Sequence, residues 1–183
     1  MLQIRKNVFE TNSSSTHSLV MSNKDRGYNY NLPVEDGVLT IPFGEFGWGP
    51  DILSTPIEKL SYLITDRIDL YDIPEEIKDD EAAIQELIME SEPIREIVDA
   101  IKYCCSDVRE VRFEIGDSWN PFGYVDHQSC GTSREDGLSI EEIAFSNKVI
   151  IMISNDNGYY YEDYFPSWDG RPATKDIEEL FND

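Results

Sequence analysis

Three helical periodicities follow one another between Ser54 and Cys105, and any fold of this chain has to bury the apolar stripes they define. The first opens at Ser54 or Thr55, either of which suits an N-cap because its hydroxyl can accept a backbone N–H of the first turn. Pro56 follows where no intrahelical donor is needed. Ile57, Leu60, Ile64 and Ile68 then recur at 3.6-residue spacing, and Pro74 blocks continuation. A second helix is predicted over Asp79 to Glu90, with Ile84, Leu87 and Ile88 on one face. A third is predicted from near Pro93 to about Cys105, with Ile94, Ile97, Val98 and Ile101 on one face.

On either side of this block the period shifts toward two. Arg109 to Ile115 alternates polar and apolar residues, which predicts a half-buried strand facing Val111, Phe113 and Ile115 inward. Short strands are predicted at 2–8, 17–22 and Val38 to Pro42, and the continuous apolar run Lys148 to Ser154 reads as a central strand. Asn155 to Gly158 is a hairpin turn, and Tyr159 to Phe165 returns as an aromatic strand. Ser139, with Glu142 three residues on, caps a short helix to Phe145, and a last helix covers about Thr174 to Phe181. Ser22 to Pro33 reads as irregular, Gly44 to Pro50 as a shaped loop, and 116–137 as a long loop. The expectation is a single α+β domain over 1–183. It has a mainly antiparallel sheet, a central block of about three helices and a short C-terminal helix.

Charge separates the function classes. The 183 residues hold 37 acids and 15 bases, a formal net charge of −22, and free nucleic acid would be repelled by such a surface. A field of this sign attracts basic proteins and also keeps a chain soluble. The distribution is uneven. Residues 1–30 sum to +2, whereas 75–92 carry Glu75, Glu76, Asp79, Asp80, Glu81, Glu86, Glu90 and Glu92 against Lys78 alone, for −7. The N-terminus has no apolar run of secretory length and no stretch approaches the roughly 20 apolar residues of a membrane span, so a cytoplasmic protein is expected.

The most ordered-looking stretch for chemistry is Arg5 to Val20, where Thr11, Ser13, Ser14, Ser15, Thr16 and Ser18 surround His17 between the apolar pairs Val8-Phe9 and Leu19-Val20. Converging backbone N–H groups and hydroxyls make an anion site there, with Arg5, Ser13, Ser14, Ser15, Thr16, His17 and Ser18 as its residues. The competing reading is that these hydroxyls bond to their own backbone. His17 is poorly placed to activate Ser18 on extended backbone, and no Gly-x-Ser-x-Gly elbow presents a serine, so no catalytic residue is assigned. Cys104, Cys105, Cys130 and His127 would make a zinc set only if the fold gathered them, and their spacing fits zinc poorly. With no Walker loop, dinucleotide-binding glycine pattern or His-Glu-x-x-His helix, neither metal nor cofactor is expected. Trp48, Trp119 and Trp168 all fall in Gly/Pro/Ser loops, which suits partner recognition, although such rings also plug the ends of sheets.

From Arg5 to Ser18 the chain resembles a recurrent N-terminal signature, Phe-Glu-Thr-Asn-Ser-Ser-Ser-Thr-His-Ser, of small proteins carried by bacteriophages and mobile elements of Firmicutes-like bacteria. Accessory proteins of that kind include inhibitors of host defence, and an acidic chain of this size looks like some anti-CRISPR proteins that bind Cas effectors. The resemblance implies a basic nucleic-acid-binding partner, such as a CRISPR effector nuclease in the bacterial cytoplasm. Glu75, Glu76, Asp79, Asp80, Glu81, Glu86, Trp48, Trp119 and Trp168 are then the expected contacts. The alternative expectation is a small enzyme acting on a phosphate-bearing or nucleotide substrate at the N-terminal hydroxyl loop.

Overall fold

A computed structural model describes residues 15–47, 51–116, 120–125, 137–155, 164 and 173–181. The order of elements is β1 (Ser15–Met21), β2 (Val34–Glu35), β3 (Val38–Pro42), β4 (Glu45–Phe46), β5 (Asp51–Leu53), α1 (Pro56–Arg67), α2 (Glu81–Glu90), α3 (Glu92–Cys104), β6 (Glu110–Glu114), β7 (Tyr124–Val125), α4 (Ile140–Phe145), β8 (Val149–Asn155) and a 3-10 helix (Ile177–Phe181). This is an α+β fold in which α1, α2 and α3 form the helical block and three small sheets surround it.

The first sheet runs β1-β8-β5 and is antiparallel throughout, with His17 opposite Ile153 and Leu53 opposite Ile151. Its central strand is buried on both faces, as its unbroken apolar run predicts. Val149, Ile151 and Ile153 join Leu19 in the main core, while Ile150 and Met152 join Val20 against Ile177 and Leu180 of the 3-10 helix. The C-terminal segment therefore covers one face of this sheet, and the helical block covers the other. The predicted C-terminal helix is present, but with 3-10 geometry and a later start, at Ile177.

In the second sheet, β2-β3-β6, the β2–β3 pair is antiparallel and β3–β6 is parallel. β2 and β3 meet in the two-residue turn Asp36-Gly37, both at positive φ (49° and 78°), the geometry that matches the twist of a tight hairpin. A Cβ at Gly37 would collide with the Arg109 guanidinium that lies over it. The parallel partner β6 arrives only after the helical crossover, as parallel pairing requires. β4 and β7 form a third, parallel pair.

Local capping explains why the helices start where they do. Thr55 and Glu58 exchange bonds in a capping box on α1, Ser139 and Glu142 do the same on α4, and Asp80 accepts the Ala83 N–H (3.1 Å) at the start of α2. One expectation for α1 needs correcting. Ile57 and Ile68 are only half-buried, whereas every residue from Lys59 to Thr65 is buried, so α1 is a core helix rather than one with a single apolar stripe.

α2 also closes a sheet edge. Phe113 of β6 donates its N–H to Gln85 Oε1 and accepts from Gln85 Nε2, both at 2.9 Å, so the side-chain amide makes the two bonds a neighbouring strand would make. This blunts an edge that would otherwise invite pairing with another chain. Replacing Gln85 by Ala leaves both backbone groups short of a partner. It is expected to lower stability by about 1–2 kcal/mol, with an unchanged dependence on urea concentration.

Candidate protein interface

Two surfaces emerge, one acidic and one aromatic. Glu75, Glu76, Asp79, Asp80, Glu81, Glu86, Glu90 and Glu92 are all solvent-exposed. Asp80 caps α2 and Glu75 pairs with Lys78, so these two have structural roles as well. Ile84 and Ile88 turn inward, which leaves Glu86 and Glu90 on the outer side of α2 one turn apart. Arg95 closes the other end of α2 by donating to the Met89 and Glu90 carbonyls (3.0 and 2.7 Å).

The acidic surface continues onto β6. Leu39, Ile41 and Phe113 face inward and are buried, while Thr40, Glu110, Arg112 and Glu114 are exposed on the other side. Arg112 donates to Glu110 (2.7 Å), and that bond, aided by the charge of Glu81, raises its already high pKa. Gln85 of α2 bonds to the Phe113 backbone of β6, so the acids of the helix and those of the sheet lie on adjoining elements. Beside Arg112 lies an open depression of about 520 Å³ lined by Pro33, Glu35, Asp36, Val38 and Thr40.

The second surface is built on the turn between α4 and β8. Inside, Lys59 of α1 is buried and donates to the Ser146 and Val149 carbonyls (3.0 and 3.1 Å). Burial drives its pKa down to about 8, against a small opposing pull from Glu58. Outside, the segment that follows β1 tracks along the same turn: Asn29 N–H donates to Phe145 O (2.7 Å), Asn147 N–H donates to Gly27 O (3.0 Å), and Tyr28 bridges Ser146. Tyr28 and Tyr30 remain 47% and 41% exposed, although their rings stack at 5.8 Å and 6°. Tyr30 also packs on Phe145 (5.2 Å) and donates to Glu141 Oε1 (2.7 Å), a bond that pushes its pKa up to about 12. The sequence of this stretch predicts only an irregular polar segment. The signal was two tyrosines in a stretch with no apolar period to bury them.

The start of that segment is tied to the C-terminus. Glu178 accepts from Ser22 Oγ (2.9 and 2.8 Å), Asn23 N–H (2.9 Å) and Arg26 Nη2 (3.0 Å). Arg26 donates further to Ser22 Oγ and to the Phe181 carbonyl, and its guanidinium lies 5.0 Å from the Phe181 ring centre. Burial works to raise the Glu178 pKa, but the bonds from Arg26, Ser22 and Asn23 together outweigh it and hold the carboxyl at about 2.

The remaining residues singled out from sequence fall as follows. Ser15, Thr16, His17 and Ser18 belong to β1, so the hydroxyl loop ends earlier than expected. Arg5, Ser13, Ser14, Trp48, Trp119, Trp168, His127 and Cys130 lie outside the described residues. Burial, then Glu141, raises the Cys104 thiol to about 11, and burial followed by Asp107 raises Cys105. Both are therefore protonated at neutral pH rather than poised as thiolates. Among the described residues no three His, Cys, Asp or Glu side chains gather as a metal site, and no helix is long and apolar enough to cross a membrane. Comparison with protein-family models, curated proteins and solved structures finds no match, so the functional reading rests on the chain's own chemistry.

Proposed function

We propose that this chain is a phage or mobile-element accessory protein that binds a basic nucleic-acid-handling protein in the bacterial cytoplasm, a CRISPR effector nuclease in the first instance. It would occupy the partner's nucleic-acid surface with carboxylates. The observation that carries this reading is the exposure of every acid of the 75–92 segment, together with Glu110 and Glu114 on the strand that α2 adjoins through Gln85 and Phe113. Glu86 and Glu90 stand one helical turn, ~6 Å, apart along α2, so the outer side of the helix carries a line of negative charge as a phosphate backbone does. A net charge of −22 speeds encounter with a basic groove and disfavours free nucleic acid.

The test is inhibition of target cleavage by purified, guide-loaded effector nucleases. Wild type is expected to inhibit, and the triple variant Glu81→Lys, Glu86→Lys, Glu90→Lys is expected to lose at least about tenfold in potency. Inhibition should also weaken steeply as salt rises, because exposed charges are screened. Failure to inhibit or bind any basic nucleic-acid-binding protein at low salt would overturn the reading. His17→Ala and Ser14→Ala are expected to leave inhibition intact. If instead they abolish activity while stability holds, the enzyme reading at the N-terminal segment takes its place.

A further inference from the structure

We infer that the stacked Tyr28–Tyr30 pair and Glu141 form an anchor for an arginine side chain of the basic partner, separate from the carboxylates of α2. This inference rests on the proposed basic partner and names the chemistry that holds it.

Three observations converge. First, two large rings are left nearly half in solvent, although each is fixed from behind: Tyr28 by its backbone bridge to Ser146, and Tyr30 by Phe145 and by its hydroxyl bond to Glu141. A preformed aromatic surface loses little entropy on binding, which is why such rings dominate contact energies. Second, the rings are stacked almost parallel, so they cover one another on one side and leave an outer ring face rather than a cage. A planar guanidinium stacks on such a face, whereas a compact ammonium gains less from it. Third, Glu141 stands at the Tyr30 hydroxyl and supplies a carboxylate at the edge of the ring, so stacking and charge pairing are available to one side chain. The acidic field of the whole molecule selects the same sign of ligand. Lys59 supports the arrangement from inside by holding the Ser146 carbonyl of the turn on which Tyr28 rests.

The probes are a nona-arginine and a nona-lysine peptide, titrated calorimetrically against wild type, Tyr28→Ala, Tyr28→Leu and the triple lysine variant of α2. Wild type is expected to prefer the arginine peptide. Tyr28→Ala and Tyr28→Leu should each cut arginine-peptide affinity by about fivefold, leave lysine-peptide affinity nearly unchanged, and melt within a few degrees of wild type. Tyr28→Leu keeps an apolar side chain without a π face, so a loss shared by both variants reports the ring and not the packing. If neither tyrosine variant changes arginine affinity while the α2 variant weakens both peptides, the anchor is wrong and the acidic-surface reading stands. If wild type binds neither peptide, both fail.

Discussion

Glu178→Ala should undock the C-terminal segment and cost about 3 kcal/mol, the usual range for leaving a partly buried cation without its partner. Glu178 collects bonds from Ser22, Asn23 and Arg26, so its loss takes the counter-charge from the Arg26 guanidinium and the acceptor from the Ser22 hydroxyl. The segment it holds contributes Ile177 and Leu180, which cover Val20, Ile150 and Met152. Undocking therefore bares one apolar face of the β1-β8-β5 sheet, and binding of a hydrophobic dye should rise before the rest of the molecule melts. Glu178→Gln, which keeps the shape and one acceptor, should cost about half as much. The pH dependence has a definite sign. The folded carboxyl titrates at about 2 against an ordinary value of 4.5, so its stabilising contribution is complete above pH 4.5 and is lost as pH falls from there toward 2. Between those values wild type should lose stability faster than Glu178→Gln on acidification. Equal acid sensitivity of the two, or an Ala variant as stable as wild type, would show that Glu178 does not hold the C-terminal segment in place.

How much of this was legible in the sequence depended on how local each signal is. The helices were readable because their signals are local: the caps of α1 and α4 lie within four residues, Thr55 with Glu58 and Ser139 with Glu142, and the apolar faces of α2 and α3 recur within each helix. The strands Val38–Pro42, Glu110–Glu114 and Val149–Asn155 were readable because five to seven residues suffice to show a period. β2, β4 and β5 span only two or three residues, too few for any alternation, and β4 and β5 exist because a distant strand pairs with them. The Asp36-Gly37 turn was the one local sign of β2. The full burial of α1 was hidden for a related reason. Lys59, Ser61 and Thr65 look like a solvated face, yet Ser61 Oγ donates to the Pro42 carbonyl (2.7 Å) and Thr65 Oγ1 accepts from Gly44 N–H (3.1 Å). Partners that far along the chain leave no periodic trace. The same holds for the aromatic surface, since nothing near Tyr28 in sequence announces Ser146, Phe145 or Glu141. The acidic surface, by contrast, was legible residue by residue, because exposure is what a run of carboxylates requires.

Lys59→Ala is expected to be the most damaging substitution, at about 3–4 kcal/mol. It combines a cavity in the central helix with a Val149 carbonyl that loses its lysine donor, while the Ser146 carbonyl keeps only the Val149 N–H (3.2 Å). Lys59→Met separates these effects, since it keeps most of the volume, removes the buried charge and takes the lysine donor from the same carbonyls of Ser146 and Val149, for an expected cost of about 1–2 kcal/mol. The charge leaves a distinct mark on pH dependence. The unfolded lysine holds its proton up to about 10.5, whereas the folded one releases it near 8, so the unfolded state binds more protons in between. Wild-type stability should therefore rise relative to Lys59→Met as pH climbs from about 8 to 10.5, and the gap between the two should be flat below that window. A gap that stays constant across the whole range would mean that the amine is solvated and not buried in the turn. Because that turn also seats Tyr28 and Asn29, Lys59→Met should loosen the aromatic surface while leaving α2 intact. Affinity for an arginine peptide should then fall more than affinity for a lysine peptide. An interior amine that never meets the partner would in this way set the geometry of the face that does.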